Sequence, residues 1–269
     1  MDEPDDDATT CPTTSPTARP TTTDCSGRET NRSVLDRADT ILSAFDPAHP
    51  DLSLLGIMAR TGLPKTTVHR AVHKMVDLDW LQIHDGRYSI GGRMLELTSL
   101  SWANTVLRAA ALPTLQDLHS CTRETIHLAI GTGSNVVYIE KLPGRSPMSG
   151  LTRIGSRLPA YCTGLGKAIL AFSPPRPACP LPDDSPARTR HTIVSARTMT
   201  DELRRIQDEG IAYDREEYSL GVECVAAPLR RPDGVCAGSI SVSVRAHKRQ
   251  LRTLAPTLRA AAAAVSRAL

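Results

Sequence analysis

The sequence predicts an α+β protein with two folded parts, and three observations carry that reading. Between Ser33 and Ile90 the pattern runs helix, short helix, glycine turn, helix and hairpin. Further on, Ile126-His127-Leu128-Ala129-Ile130 and Asn135-Val136-Val137-Tyr138-Ile139-Glu140 read as a hairpin around Gly131-Thr132-Gly133-Ser134. Gly238-Ser239-Ile240-Ser241-Val242-Ser243-Val244 alternates small polar with apolar residues, the mark of a half-buried strand. A chain of 269 residues is long enough for each part to bury its own core.

Residues 1–30 are rich in Thr, Pro, Asp and Ser and hold almost no large apolar residue. Such a segment buries too little surface to offset its ordering entropy, so a disordered tail is expected there. A folded domain is expected over 31–91, a linker helix over 92–107 and a second domain over 108–269. In the first domain, Ser33 is placed to cap a helix whose apolar residues are Val34, Leu35, Ala38, Ile41, Leu42 and Phe45, with Asp36 in its first turn. Ser53 caps a second helix carrying Leu54, Ile57 and Met58, and Gly62 ends it. Pro64 opens a third helix that runs to about Leu78. Its residues Val68, Ala71, Val72 and Met75 share one face, while Thr66, Arg70 and His73 lie opposite. Trp80–Ile83 and Arg87–Ile90 then read as strands joined at His84-Asp85-Gly86, a tight-turn signal. This order of elements is that of a winged helix-turn-helix.

The charge distribution narrows the function. The formal net charge is +3, but 1–30 sums to −5, 31–90 balances seven basic against seven acidic residues, and the remainder carries +8. A nucleic-acid reading therefore rests on how charge is placed on one motif. On the third helix, Lys65 and Arg70 suit phosphates or guanine edges, and Thr66 and Thr67 allow close approach to a backbone. His69 and His73 extend the same polar surface, and Arg87 on the wing is placed for a phosphate or the minor groove. The plainer alternative is a solvated face of an amphipathic helix. Seven cysteines (Cys11, Cys25, Cys121, Cys162, Cys179, Cys224 and Cys236) are odd in number and irregular in spacing. No CxxC pair or Cys/His cluster suggests zinc, and neither a signal peptide nor a bilayer-spanning run is expected. The expectation is a cytoplasmic protein with reduced thiols, no cofactor and no metal.

Ser33 to Leu97 resembles the DNA-binding domain of the IclR family of bacterial regulators. The run Thr61-Gly62-Leu63-Pro64-Lys65-Thr66-Thr67-Val68-His69-Arg70 is similar to that family's turn and recognition helix, and Asp85-Gly86-Arg87-Tyr88 with Ile90-Gly91 to its wing. Leu55-Gly56 departs from the polar helix formers usual there; a helical Gly costs about 1 kcal/mol relative to Ala, so a soft second helix is expected. Arg93–Trp102 resembles the family's linker helix, whose surplus of apolar residues suits subunit pairing. Gly155–Ala168 and Tyr213–Pro228 are similar to its two effector-domain motifs.

The resemblance implies a GAF-like effector-binding domain on a curved antiparallel sheet. It places Gly164, Leu165, Asp214, Cys224, Ser241 and Ser243 around an effector pocket, with Leu151 and Ile154 as apolar walls. Glycines at 164 and 166, opening a helix, allow a ligand to approach backbone amides that favour a carboxylate. Tyr161 replaces the His common before the matching Cys162. The partners implied are double-stranded operator DNA, a small organic effector with carboxylates among the candidates, and a second copy of the chain as a homodimer or tetramer, with repression the first expectation. Two other readings stand beside it. One is an interaction module without DNA binding; the other is an enzyme with Cys224 as nucleophile and His127 or His191 as base. Cys224 also fits a small buried hydrophobe, and Ser241 and Ser243 a solvated strand face.

Overall fold

A computed structural model describes residues 33–145, 152–173, 181, 185–247 and 251–269. The 1–30 tail and Leu151 lie outside the described residues. The chain divides into two compact units: residues up to Asp77 with Leu81–Ile90, and Leu78–Trp80 with Gly91–Leu269.

The first unit has α1 (Val34–Leu42), β1 (Asp51–Ser53), α2 (Leu54–Thr61), α3 (Lys65–Asp77), β2 (Leu81–His84) and β3 (Arg87–Ile90). Ser33 and Asp36 form a reciprocal capping box at the start of α1, which satisfies two otherwise orphaned amides. Of the apolar residues of that helix, Val34 and Leu35 are 78% and 75% exposed, and Ile41 is the buried one. Ser53 accepts the Gly56 amide to cap α2, and Gly62 ends it in the left-handed region at φ 67°. Gly56 therefore sits in the first turn, with its amide already taken. Ile57, Val68, Val72, Met75 and Leu81 are buried, and the three helices pack on one another. Asp85 and Gly86 turn the β2–β3 hairpin with φ of 49° and 71°. β1, which the sequence pattern did not reveal, pairs antiparallel with β3 to give the order β1-β3-β2. Three residues are too few to show alternation, and the strand exists through its partner.

The second unit begins with α4 (Gly92–Ser99), not with one continuous linker helix. The chain turns at Leu100, re-enters helix through a π turn at Ala103–Leu107 and continues as α5 (Arg108–Thr122), with Pro113 inside it. There follow β4 (Thr125–Thr132), β5 (Asn135–Leu142), β6 (Arg157–Pro159), α6 (Gly164–Phe172), α7 (Ala196–Glu209), β7 (Ala212–Arg215), β8 (Val222–Arg230), β9 (Cys236–Arg245) and α8 (Leu251–Arg267). The strands form one antiparallel sheet, β6-β5-β4-β9-β8-β7, with irregularities at Leu128/Ala129 and Leu229/Arg230 of the kind that bend a sheet. Alternation along β8 decides the layers. Val225, Ala227 and Leu229 join α5 and α8 in one core, whereas Ala226 joins α6 and α7 in the other.

β9 corrects the half-buried reading. Lying between β4 and β8 with helices over both faces, it buries Ser239, Ser241 and Ser243 as fully as Ile240 and Val242. Its serine face is covered by α6, and the Ser239 hydroxyl donates to the Leu165 carbonyl at 3.0 Å.

Candidate functional sites

The first site is a face of α3. Val68 and Val72 fix the helix against the core, which turns Lys65, Thr66, His69, Arg70 and His73 outward; Thr67 is half-buried. No carboxylate among the described residues pairs with Lys65 or Arg70. Unpaired cations on an exposed helical face are free to meet phosphates or base edges. Arg87 differs. Its guanidinium binds Asp51 in bidentate fashion, Nε to Oδ2 at 2.7 Å and Nη2 to Oδ1 at 3.1 Å, and also reaches the Asp51 carbonyl. Hydrogen bonding to Arg87 holds the Asp51 carboxyl below its usual range. The wing arginine is thus oriented by a partner in β1 that the sequence pattern did not reveal.

The second site is a cavity of about 40 Å³ on the α6 side of the large sheet, where β4, β5, β8 and β9 meet the loop after β7. Asp214, Cys224, Ser241 and Ser243, four of the predicted pocket residues, line it. His127, Tyr138, Thr152, Thr163 and Tyr218 line it as well. Of these, His127 had been considered only as a catalytic base, and strand pairing explains its place: it sits opposite Ser241 on β9.

Three predicted lining residues do not line it. Ile154 is 53% exposed, and Leu165 buries its side chain in the α6–α7 core. Gly164 packs on the sheet, where a Cβ would lie 2.8 Å from the Cys224 sulfur. A Cβ on Gly166 would run into the Ala160 backbone. These glycines permit close packing of α6 on its neighbours. The Thr163 hydroxyl takes the Gly166 amide and its carbonyl the Lys167 amide, so part of the helix N-terminus is already satisfied.

The electrostatics of the cavity follow from burial. Burial first, then the nearby Glu217 charge, pushes the Asp214 carboxyl up to about 7. Its Oδ1 accepts the Glu217 amide at 2.7 Å, and its Oδ2 lies 3.8 Å from the Cys224 thiol. Burial, then the Lys141 ammonium, lowers His127 to about 3, so this ring is neutral at ordinary pH. His127 Nε2 meets the Thr152 hydroxyl at 2.9 Å, Nδ1 meets the Ser243 hydroxyl at 3.3 Å, and the ring stands edge-on to Tyr138. The Ser241 hydroxyl oxygen is buried without a protein partner, a polar atom available to something in the cavity. Behind the wall, Lys167 bridges Glu217 at 2.5 Å and Glu202 at 3.2 Å.

This environment is the opposite of an activated nucleophile's. Burial drives the Cys224 thiol far above its usual range, whereas a reactive thiolate needs its pKa lowered. The exposed His191 ring accepts from its neighbour Arg190 at 3.0 Å.

A winged helix-turn-helix on one unit and a polar cavity in an antiparallel sheet on the other define a DNA-binding regulator with a separate sensing domain. Residues 100–267 match the bacterial transcriptional regulator IclR C-terminal family, and residues 34–84 match the IclR helix-turn-helix domain. The HTH-type transcriptional regulator XynR of Escherichia coli is 29% identical over 248 residues, covering 87% of this chain and 96% of that protein. The DNA-binding transcriptional repressor YiaJ of E. coli is 30% identical over 193 residues, 68% of this chain and 67% of that one. An IclR homologue of Microbacterium hydrocarbonoxydans, solved in complex with 4-hydroxybenzoate, superposes with a TM-score of 0.79 at 26% identity, covering 88% of this chain and 99% of the other. The chain belongs to the IclR family of bacterial transcriptional regulators.

Proposed function

We propose that the chain is a ligand-responsive repressor that binds a two-fold related operator as a homodimer. The observation that carries this reading is the outward face of α3, where Lys65, Thr66, His69, Arg70 and His73 are exposed and the two strong cations have no carboxylate partner among the described residues. Helix dipole and cations act together on phosphate there, and Thr67 and Arg87 extend the contact to the backbone and the wing. Dimerisation is supported by apolar residues that the single chain leaves in solvent: Leu95 and Leu100 at 73% and 76% exposure, with Leu97, Trp102 and Val106. Repression accords with the kinship to YiaJ. A DNA-binding role accords with the bacterial cytoplasm; no helix among the described residues is long and apolar enough to cross a membrane.

The effector occupies the cavity walled by Asp214, Cys224, Ser241 and Ser243. It is a small organic molecule, and aromatic carboxylates are the first class to screen because the Microbacterium homologue holds one. About 40 Å³ accommodates only a few waters, so a ring-sized effector enters as its lining moves. Binding is thereby coupled to conformation, and its differential affinity for two arrangements of the dimer sets the response.

The test is a titration of DNA flanking the chain's own gene, with competitor DNA and two salt concentrations. Wild-type protein should bind saturably and selectively, and more weakly at high salt. Arg70→Ala should lose about 5- to 150-fold in operator affinity, the equivalent of about 1–3 kcal/mol, while melting at the wild-type temperature. Unchanged affinity in that variant would remove α3 from the interface.

A further inference from the structure

His69 and His73 stand one turn apart on the exposed face of α3, with their Nε2 atoms 3.1 Å apart. Their ring centroids are 4.2 Å apart and the planes tilt by 48°. Histidines four residues apart on a helix aim both rings at one point, the arrangement through which helix-borne pairs hold zinc. A cation about 2.0–2.1 Å from each nitrogen, with about 90–109° between the two bonds, sets those nitrogens about 2.9–3.4 Å apart. The observed spacing lies inside that window. The same 3.1 Å separation is that of an Nε2–H···Nε2 hydrogen bond between the two rings, and a cation that takes the place of that proton bonds both nitrogens once each ring carries its own proton on Nδ1.

We propose that His69 and His73 form a bidentate site for a late first-row divalent cation (Zn²⁺, Ni²⁺ or Cu²⁺) whose occupancy competes with operator DNA. Imidazole selects these ions over Mg²⁺ and Ca²⁺, which take oxygen ligands. No group of three or more His, Cys, Asp or Glu ligands exists among the described residues, so water completes the coordination sphere and the ion exchanges readily. A hydrated ion held there covers the middle of the helix face and withdraws both imidazoles from hydrogen bonding; its charge alone would favour phosphate, so the competition is steric, at the base edges. The competition rests on the reading of α3 as the DNA-facing helix; the site itself does not.

Two measurements on the full chain test the two halves. In the first, Ni²⁺ is titrated calorimetrically at fixed pH into wild type, His69→Gln, His73→Gln and the double variant. Wild type should show one site per chain that the double variant lacks. Removing even an outer-shell partner of a metal costs about tenfold in affinity, so each single variant should lose at least that at this site. Single variants that bind Ni²⁺ as tightly as wild type would overturn the site. In the second, operator affinity is measured with and without Ni²⁺. Wild type should weaken at least fivefold when Ni²⁺ is present, and the double variant should not respond to the ion, whatever its own affinity. A wild-type operator affinity that Ni²⁺ leaves unchanged or raises would overturn the competition. If the metal-free protein binds no operator, the DNA reading fails instead, and the calorimetry still decides the site.

Discussion

Helices α3 and α6 are built on opposite principles. α3 has 13 residues and buries only Val68, Val72 and Met75, whereas α6 has nine and buries all but Leu170. Each carries a lysine. Lys65 stands in solvent with no carboxylate partner among the described residues, so its charge costs the fold nothing and is free for phosphate. Lys167 has no exposed surface and lies between Glu202 and Glu217. A charge taken out of water is tolerated only with such partners, so Lys167 is committed to the fold and unavailable to a ligand. In the DNA-facing unit, charge is left free for a partner molecule. In the sensing unit, charge is spent internally, and what faces the cavity is a neutral imidazole, hydroxyls and a carboxyl raised to about 7.

The largest effect that would test this contrast comes from Lys167→Met. Removing the cation leaves buried Glu217 without a counter-charge, while Glu202 keeps Arg205, and breaking a buried pair this way costs about 3–5 kcal/mol. At about 2–4 °C per kcal/mol for a domain of this size, the melting temperature should fall by roughly 6–20 °C. A change below about 2 °C would mean that the buried pair is not what holds α6 to its surroundings. Gly164→Ala comes next. The added methyl would lie 2.8 Å from the Cys224 sulfur, and overpacking of that kind costs about 1–3 kcal/mol. Cys224→Ala in the same chain removes the obstructing atom and should return about 1 kcal/mol in a double-mutant cycle. Purely additive losses would show that Gly164 is not there to pack on Cys224.

What could be read from the chain and what could not divides along the same line. α3 was legible because everything that defines it is local: Pro64 before it, the glycine turn at Gly62, and a 3.6-residue repeat that separates Val68 and Val72 from Arg70 and His73. The caps at Ser33 and Ser53 were legible for the same reason. Alternation along β9 gave the strand but not its environment, because a serine face under a helix and one under water have the same period. Asp51 and Arg87 are 36 residues apart, and Lys167 and Glu217 are 50 apart, so no window of local sequence joins them. The glycines of α6 are ambiguous in sequence for a related reason. A missing Cβ admits a ligand or a neighbouring segment equally well, and the neighbours, Cys224 at Gly164 and the Ala160 backbone at Gly166, are not visible in local sequence. Asp214, Cys224, Ser241 and Ser243 were found through motif likeness, whereas His127, Tyr138 and Thr152 required the strand order.

The smallest expected effect on the fold sharpens the contrast most. Lys65→Ala removes the same functional group as Lys167→Met, at the first residue of its helix, yet it strands no carboxylate among the described residues. Stability should change by less than about 0.5 kcal/mol, as for surface substitutions generally. Operator binding should weaken about equally across sequences, and the slope of log affinity against log salt should become shallower by about 1, because one fewer phosphate counterion is released. A variant that melts like wild type but shows the shallower slope would establish that the charge on α3 serves the partner and not the fold. An unchanged slope would take Lys65 off the phosphate backbone and leave Arg70 to carry the cationic contact of that face.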